Sequence, residues 1–362
     1  MPMTLTRRNL LLAAGAGVSS FATARSILGQ APPKGTPPLV IHDYGKRSTV
    51  SLIHGEQRRK IVYDSLVAIE DQIKPVLKRK KYVVIKPNNV STVNQLAATH
   101  ADALRGILDF VAPRFKGPIY IAESSAGETM QGFENFGYTK LPAEYRSRQI
   151  NLVDLNAEAK YKQIPLLDFD LHLTPVRLAA RLMDPYGYVI CSACMKTHNV
   201  MIATLSVKNM ALGAPLHQAP GEKPRWNDKR KYHAGIRQGH YNMLLTAQAM
   251  QPFWGATVID GFEGMEGNGP ASGTPVPSRV AVASTDYIAA DRVAVDCMGI
   301  NPDWPGSLTY CGQIGLGNWD IAKIDVLGAK IADVRKTYKL HKDIDRELEW
   351  MGPMNEIPIK LG

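Results

Sequence analysis

"GYVICSACMKTHNVMIATLSVKNMALG", residues 187–213, opens as an apolar run and then turns polar. Gly187–Ile190 does not alternate between apolar and polar residues, so it predicts a strand buried on both faces. Cys191, Cys194, Lys196 and His198 follow, and Lys208 and Asn209 come ten residues later. The same transition recurs along the chain, in "YVVIKPNN" (82–89), "PIYIAESSAGET" (118–129), "INLVDLN" (150–156), "ATVIDGFEGMEGNGP" (256–270) and "RVAVAS" (279–284). "PLVIHDY" (38–44) reads as a further short strand. Between these runs, residues 60–77, 101–115 and 242–250 carry apolar positions at helical spacing, and "LAARLM" (178–183) reads as helix too. Ser284 or Thr285 is expected to cap the helix that follows the last strand. Short apolar strands alternating with helices predict an α/β fold, a mostly parallel sheet covered by helices.

In an open parallel sheet, ligands bind at the carboxyl ends of the strands. Those ends carry Lys86 and Asn88, Glu123, the Lys196–His198 pair, and Asp260 with Glu263 and Glu266. Lys86, Asn88, Lys196, Lys208 and Asn209 are candidate substrate-binding residues. Three lysines at one edge repel each other unless an anion sits between them, which points to a carboxylate or phosphate ligand. Lys196 and His198 are two apart and share a side in an extended segment. His198, His100 and Glu123 are candidates for proton transfer. Asp260 and Glu266 are candidate ligands for a divalent metal, although their segment lacks EF-hand spacing. Cys191-x-x-Cys194 closes a strand rather than opening a helix, so buried thiols or a simple disulfide is the plainer reading, with a thiol redox partner as an alternative. No Walker loop, G-x-G-x-x-G, G-x-S-x-G or H-E-x-x-H occurs.

The chain has 362 residues, 45% apolar and 21% charged, with a formal charge of +10. It contains no apolar run long enough to span a membrane. Its basic residues are scattered, so nucleic acid is not an expected partner. Residues 1–30 carry Arg7-Arg8 before a mildly apolar Leu/Ala/Gly stretch, the pattern of a twin-arginine export signal cleaved after Ala24 or near Gln30. That pattern makes the twin-arginine translocase a partner and the periplasm, or another exported location, the destination. Without Arg7, Arg8 and Arg25 the charge falls from +10 to +7. Residues 31–37 read as a Pro/Gly linker and 38–328 as the α/β domain, with 329–362 as a peripheral helical extension. Residues 213–240 are polar, basic and rich in Gly and Pro, and predict a long lid-like excursion from which His233 or Arg237 reaches inward.

Taken together, "VIKPNNV", "TH" (99–100), "IAESSAGET" with "FENFGY", "MKTHNVMIATLSVKNMALG", "VIDGFEGMEGNGPASG", "VAVASTDYIAADRVAVDCMGI" and "GLGNWD" resemble the DUF362 family. The resemblance runs from about residue 38 to 328 and implies an α/β fold with one shared site. It supplies no reaction. Some relatives carry ferredoxin-type cysteine clusters; this chain has no such cluster, so no inbuilt iron–sulfur centre is expected. The expected function is that of an exported enzyme acting on a small anionic substrate, with a non-catalytic anion- or cofactor-binding protein as the runner-up.

Overall fold

The computed structural model describes residues 39, 46–219 and 221–353. The expected export signal and linker, most of "PLVIHDY" and residues 354–362 lie outside the described residues.

The strands are β1 (Ser48–His54), β2 (Tyr82–Lys86), β3 (Ile119–Glu123), β4 (Ile150–Asp154), β5 (Tyr161–Leu167), β6 (Leu173–Ala179), β7 (Gly187–His198), β8 (Ile202–Thr204), β9 (Trp254–Glu266), β10 (Thr274–Val276), β11 (Val280–Ser284) and β12 (Ile324–Gly328). One mixed sheet runs in the order β12-β1-β11-β9-β7-β2-β3-β4, with β8 on β7 and β10 on β9, while β5 and β6 form a separate hairpin. The block β9-β7-β2-β3-β4 is parallel throughout. β11 runs antiparallel to both of its neighbours, and β12 is parallel to β1.

Helices cover both faces. Val83 and Ile85 of β2 pack into one apolar layer with the helices Arg58–Val67, Glu70–Leu77 and Ala101–Arg114. Val84 packs into the other, with Ser206–Gly213, Ile236–Met250 and Tyr287–Cys297. The period of two that sorts these valines also aims Lys86 at the Ser206–Gly213 side. Each aliphatic side chain buried this way contributes roughly 1.5–3 kcal/mol, so the strand ends are held in fixed register.

Several local expectations are corrected. The helical stretch 60–77 is two helices that break at Ala68–Ile69. "LAARLM" ends β6 and then makes a single 3-10 turn, because its first residues pair with β5. Helix Tyr287–Cys297 is capped by Asp286, whose carboxylate accepts from the Ile288 and Ala289 N–H groups; Ser284 instead donates to the Thr49 carbonyl. The excursion is shorter than expected, since helix Ile236–Met250 already starts at residue 236. Residues 329–353 are not one long helix. They contain the short turns Ile331–Val334 and Ile344–Glu347, and they are tied to the domain through Lys336 and Tyr338 N–H bonds to Cys297 and Met298. Among the described residues no helix is long and apolar enough to cross a membrane.

Candidate functional site

At the carboxyl edge of β2, β3 and β7 lies a cavity of about 290 Å³. Its lining includes Asn88, Asn89, Glu123, Ser124, His198, Asn199, Lys208, Asn209, Lys229 and His233.

The floor is an ion pair between adjacent strand ends. Lys86 and Glu123 are 0% and 2% exposed. Lys86 Nζ lies 2.9 Å from Glu123 Oε1 and donates to Oε2 (3.0 Å), to Asn209 Oδ1 (3.1 Å) and to the Pro87 carbonyl (3.1 Å). Glu123 also accepts from the Ser124 and Asn89 N–H groups. Asn209 completes the lattice, accepting from Asn88 Nδ2 and donating to Cys191 Sγ and the Ser192 carbonyl. Gly213 closes over Lys86 so tightly that a Cβ there would sit 2.2 Å from Nζ. Every charge in this floor has a partner.

The wall differs. Lys208, on helix Ser206–Gly213, is 5% exposed, and its Nζ makes no hydrogen bond among the described residues. Burial, then the Lys196, Lys86 and Lys229 ammoniums, hold it well below the ordinary lysine range. Lys229 enters from the excursion, and its Nζ donates to Ser124 Oγ (3.0 Å) and the Leu212 carbonyl (3.1 Å). Burial pulls its ammonium down to about 7. Asn88 Oδ1 and Asn89 Nδ2 are buried without a partner among the described residues. Such groups are costly unless something hydrogen-bonds to them.

His198 is set by the turn that follows β7. Its Nδ1 accepts from the Val200 and Met201 N–H groups, both at 3.1 Å. The neutral ring must therefore carry its proton on Nε2. Burial, then nearby cations led by Lys208, keep it neutral, well below the usual histidine range. The same turn leaves Ile202 at φ 66, a strained conformation for a β-branched residue.

Other predicted residues lie elsewhere. Lys196 is fully buried and donates to the Ala97 carbonyl (2.6 Å), and burial pulls it down to about 8; it is not part of the cavity lining. His100 caps helix Ala101–Arg114 by accepting from the Asp102 N–H. With Asp260, Arg58, Cys194 and Glu263 it borders a separate cavity of about 20 Å³. There Asp260 Oδ2 pairs with Arg58 Nε at 3.1 Å. Glu266 instead accepts from the Lys339 N–H, so Asp260 and Glu266 do not form a metal pair. Among the described residues no group of three or more His, Cys, Asp or Glu side chains is placed to hold a metal ion. Arg237 donates to the Trp350 carbonyl rather than reaching inward, while His233 does line the cavity. All four cysteines are free and buried. Cys191 and Cys194 are three apart on an extended strand and so face opposite sides: Cys191 meets Asn209, and Cys194 meets Thr99.

The sequence reading missed Lys229, Asn89, Asn199 and Arg58. Lys229 sits among other basic residues in "NDKRKY", where nothing local separates an inward lysine from solvated ones.

A family model described as a domain of unknown function (DUF362) matches residues 83–296, more than half of the chain. The chain belongs to this family. The matched range contains every cavity residue named above, whereas Arg58 of the smaller cavity lies outside it. A thylakoid-associated protein of Synechocystis is 31% identical to this DUF362 chain over 143 residues, 39% of the chain. The chain covers 41% of that relative's length. A solved structure from Thermotoga maritima covers 57% of the chain and is covered over 51% of its own length, at 11% identity and a TM-score of 0.37. That likeness carries no argument about the site.

Proposed function

We propose that this DUF362 protein is an exported enzyme acting on a small carboxylate or phosphate held in the cavity. The observation that carries the reading is the imbalance of charge around that space. Two lysines line it against one carboxylate, that carboxylate is already paired with Lys86, and burial pushes both lining histidines towards the neutral form. An anion would relieve the repulsion that depresses Lys208, accept from His198 Nε2–H and Lys229, and meet the unpartnered Asn89 amide.

Proton transfer falls to Lys229, whose ammonium burial pulls down to about 7. His198 is a hydrogen-bond donor on this reading, since its only basic nitrogen is committed to the backbone. His100 serves its helix, and the oxygens of Glu123 are committed to Lys86 and two N–H groups. Those commitments also favour a second reading, a protein that binds the same anion without turning it over.

Sulfate is a suitable probe because its charge stays constant across neutral pH. Calorimetric titration of the folded protein with sulfate should show one site, and Lys229→Met should weaken it by roughly tenfold or more. Equal affinity in the variant would remove the cavity from the account.

A further inference from the structure

The three lysines whose charge acts on Lys208 all have N–H groups directed at acceptors. Lys86 has Glu123 and Asn209, Lys196 has the Ala97 carbonyl, and Lys229 has Ser124 Oγ and the Leu212 carbonyl. Lys208 has none among the described residues, yet its side chain lines the open space. An ammonium there would present three N–H donors to no protein acceptor among the described residues, under the repulsion of Lys196, Lys86 and Lys229. A neutral amine avoids both costs and keeps a lone pair free. A lysine crowded by other cations in a desolvated pocket is a recognised way to obtain a nucleophilic amine at neutral pH.

We propose that Lys208 is a carbonyl-reactive amine and that the site's substrates are small 2-oxo acids, which it captures as an imine. The inference rests on the anion-site reading: the carboxylate is held by Lys229 and the Asn89 amide, and the adjacent carbonyl faces Lys208. The amine lone pair adds to the carbonyl carbon, and the C=O π electrons move to oxygen, which is protonated. Loss of that oxygen as water, with net uptake of one proton, gives the protonated imine. Hydrolysis returns amine and carbonyl by the same steps. His198 Nε2–H is positioned to hydrogen-bond the oxygen as charge develops on it. The protonated imine is itself a cation beside the substrate's carboxylate, so the charge that the neutral amine avoids is matched in the adduct.

Glyoxylate with cyanoborohydride tests this by trapping any imine as a carboxymethyl-lysine. At neutral pH, peptide mapping of the full protein should find Lys208 modified roughly tenfold or more ahead of exposed Lys60, with sulfate slowing the reaction at Lys208 alone. Trapping on Lys208→Arg should leave only the slow surface pattern, and circular dichroism would establish that this variant is folded. Modification of Lys208 no faster than Lys60 while calorimetry still shows sulfate binding would overturn the imine and leave the anion site standing. Absence of both sulfate binding and labelling would overturn both, and fast labelling of Lys229 instead would overturn the assignment to Lys208.

Discussion

The floor and the wall of the cavity are built from the same residue types and do opposite things. In the floor, Lys86 and Glu123 are fully buried, yet each donor and acceptor is used. In the wall, Asn88 Oδ1 and Asn89 Nδ2 are buried without a partner among the described residues, and Lys208, 5% exposed, makes no hydrogen bond to them. A compensated buried charge is part of the fold, and removing one partner strands the other. An uncompensated one is a standing cost that persists where something outside the fold can relieve it. The contrast therefore separates architecture from function more sharply than residue identity does.

The largest test of that contrast is Lys86→Met. It should leave Glu123 charged and unpaired and destabilise the protein by about 3–5 kcal/mol, measured by denaturant unfolding. A loss under ~1 kcal/mol would mean that floor and wall are energetically alike. Lys208→Met should act in the opposite direction. A lysine whose folded pKa is depressed costs stability that is fully present below the folded pKa and absent well above the ordinary lysine value. Removing Lys208 should therefore raise the apoprotein's Tm by a few degrees at neutral pH while weakening sulfate binding. A lower Tm would place Lys208 with the floor.

Much of the fold is legible in the sequence because the parallel block declares itself: β2, β3, β4, β7 and β9 are continuous apolar runs ending in polar residues. β1, "STVSLIH", alternates with serine and threonine and is harder to see, although it joins the sheet between β11 and β12. The β5–β6 hairpin is hidden by its prolines and exposed residues. In the candidate site, the residues at strand ends could be placed in advance because topology fixes where those ends lie. Their roles could not. His198 reads as an acid or base until the two backbone N–H groups on Nδ1 come into view. His100 reads the same way until it is found capping its own helix. Asp260 was grouped with Lys86 by strand order alone, whereas Arg58, from a helix outside the matched range, draws it into the smaller cavity. Lys229 depends on where the 3-10 turn Asp228–Tyr232 is placed, next to Ser124 and Leu212, which no local pattern encodes.

The most direct measurement of the central claim is sulfate binding by calorimetry across pH, repeated in buffers of different ionisation enthalpy. Burial pulls the Lys229 ammonium down to about 7, and burial with neighbouring cations holds Lys208 below its ordinary range; a bound anion should raise both. The account predicts net proton uptake on binding at mildly alkaline pH and affinity that tightens, by up to about tenfold per unit, as pH falls toward 7. Binding that releases protons, or that is unchanged in affinity and proton count across this range, would contradict it.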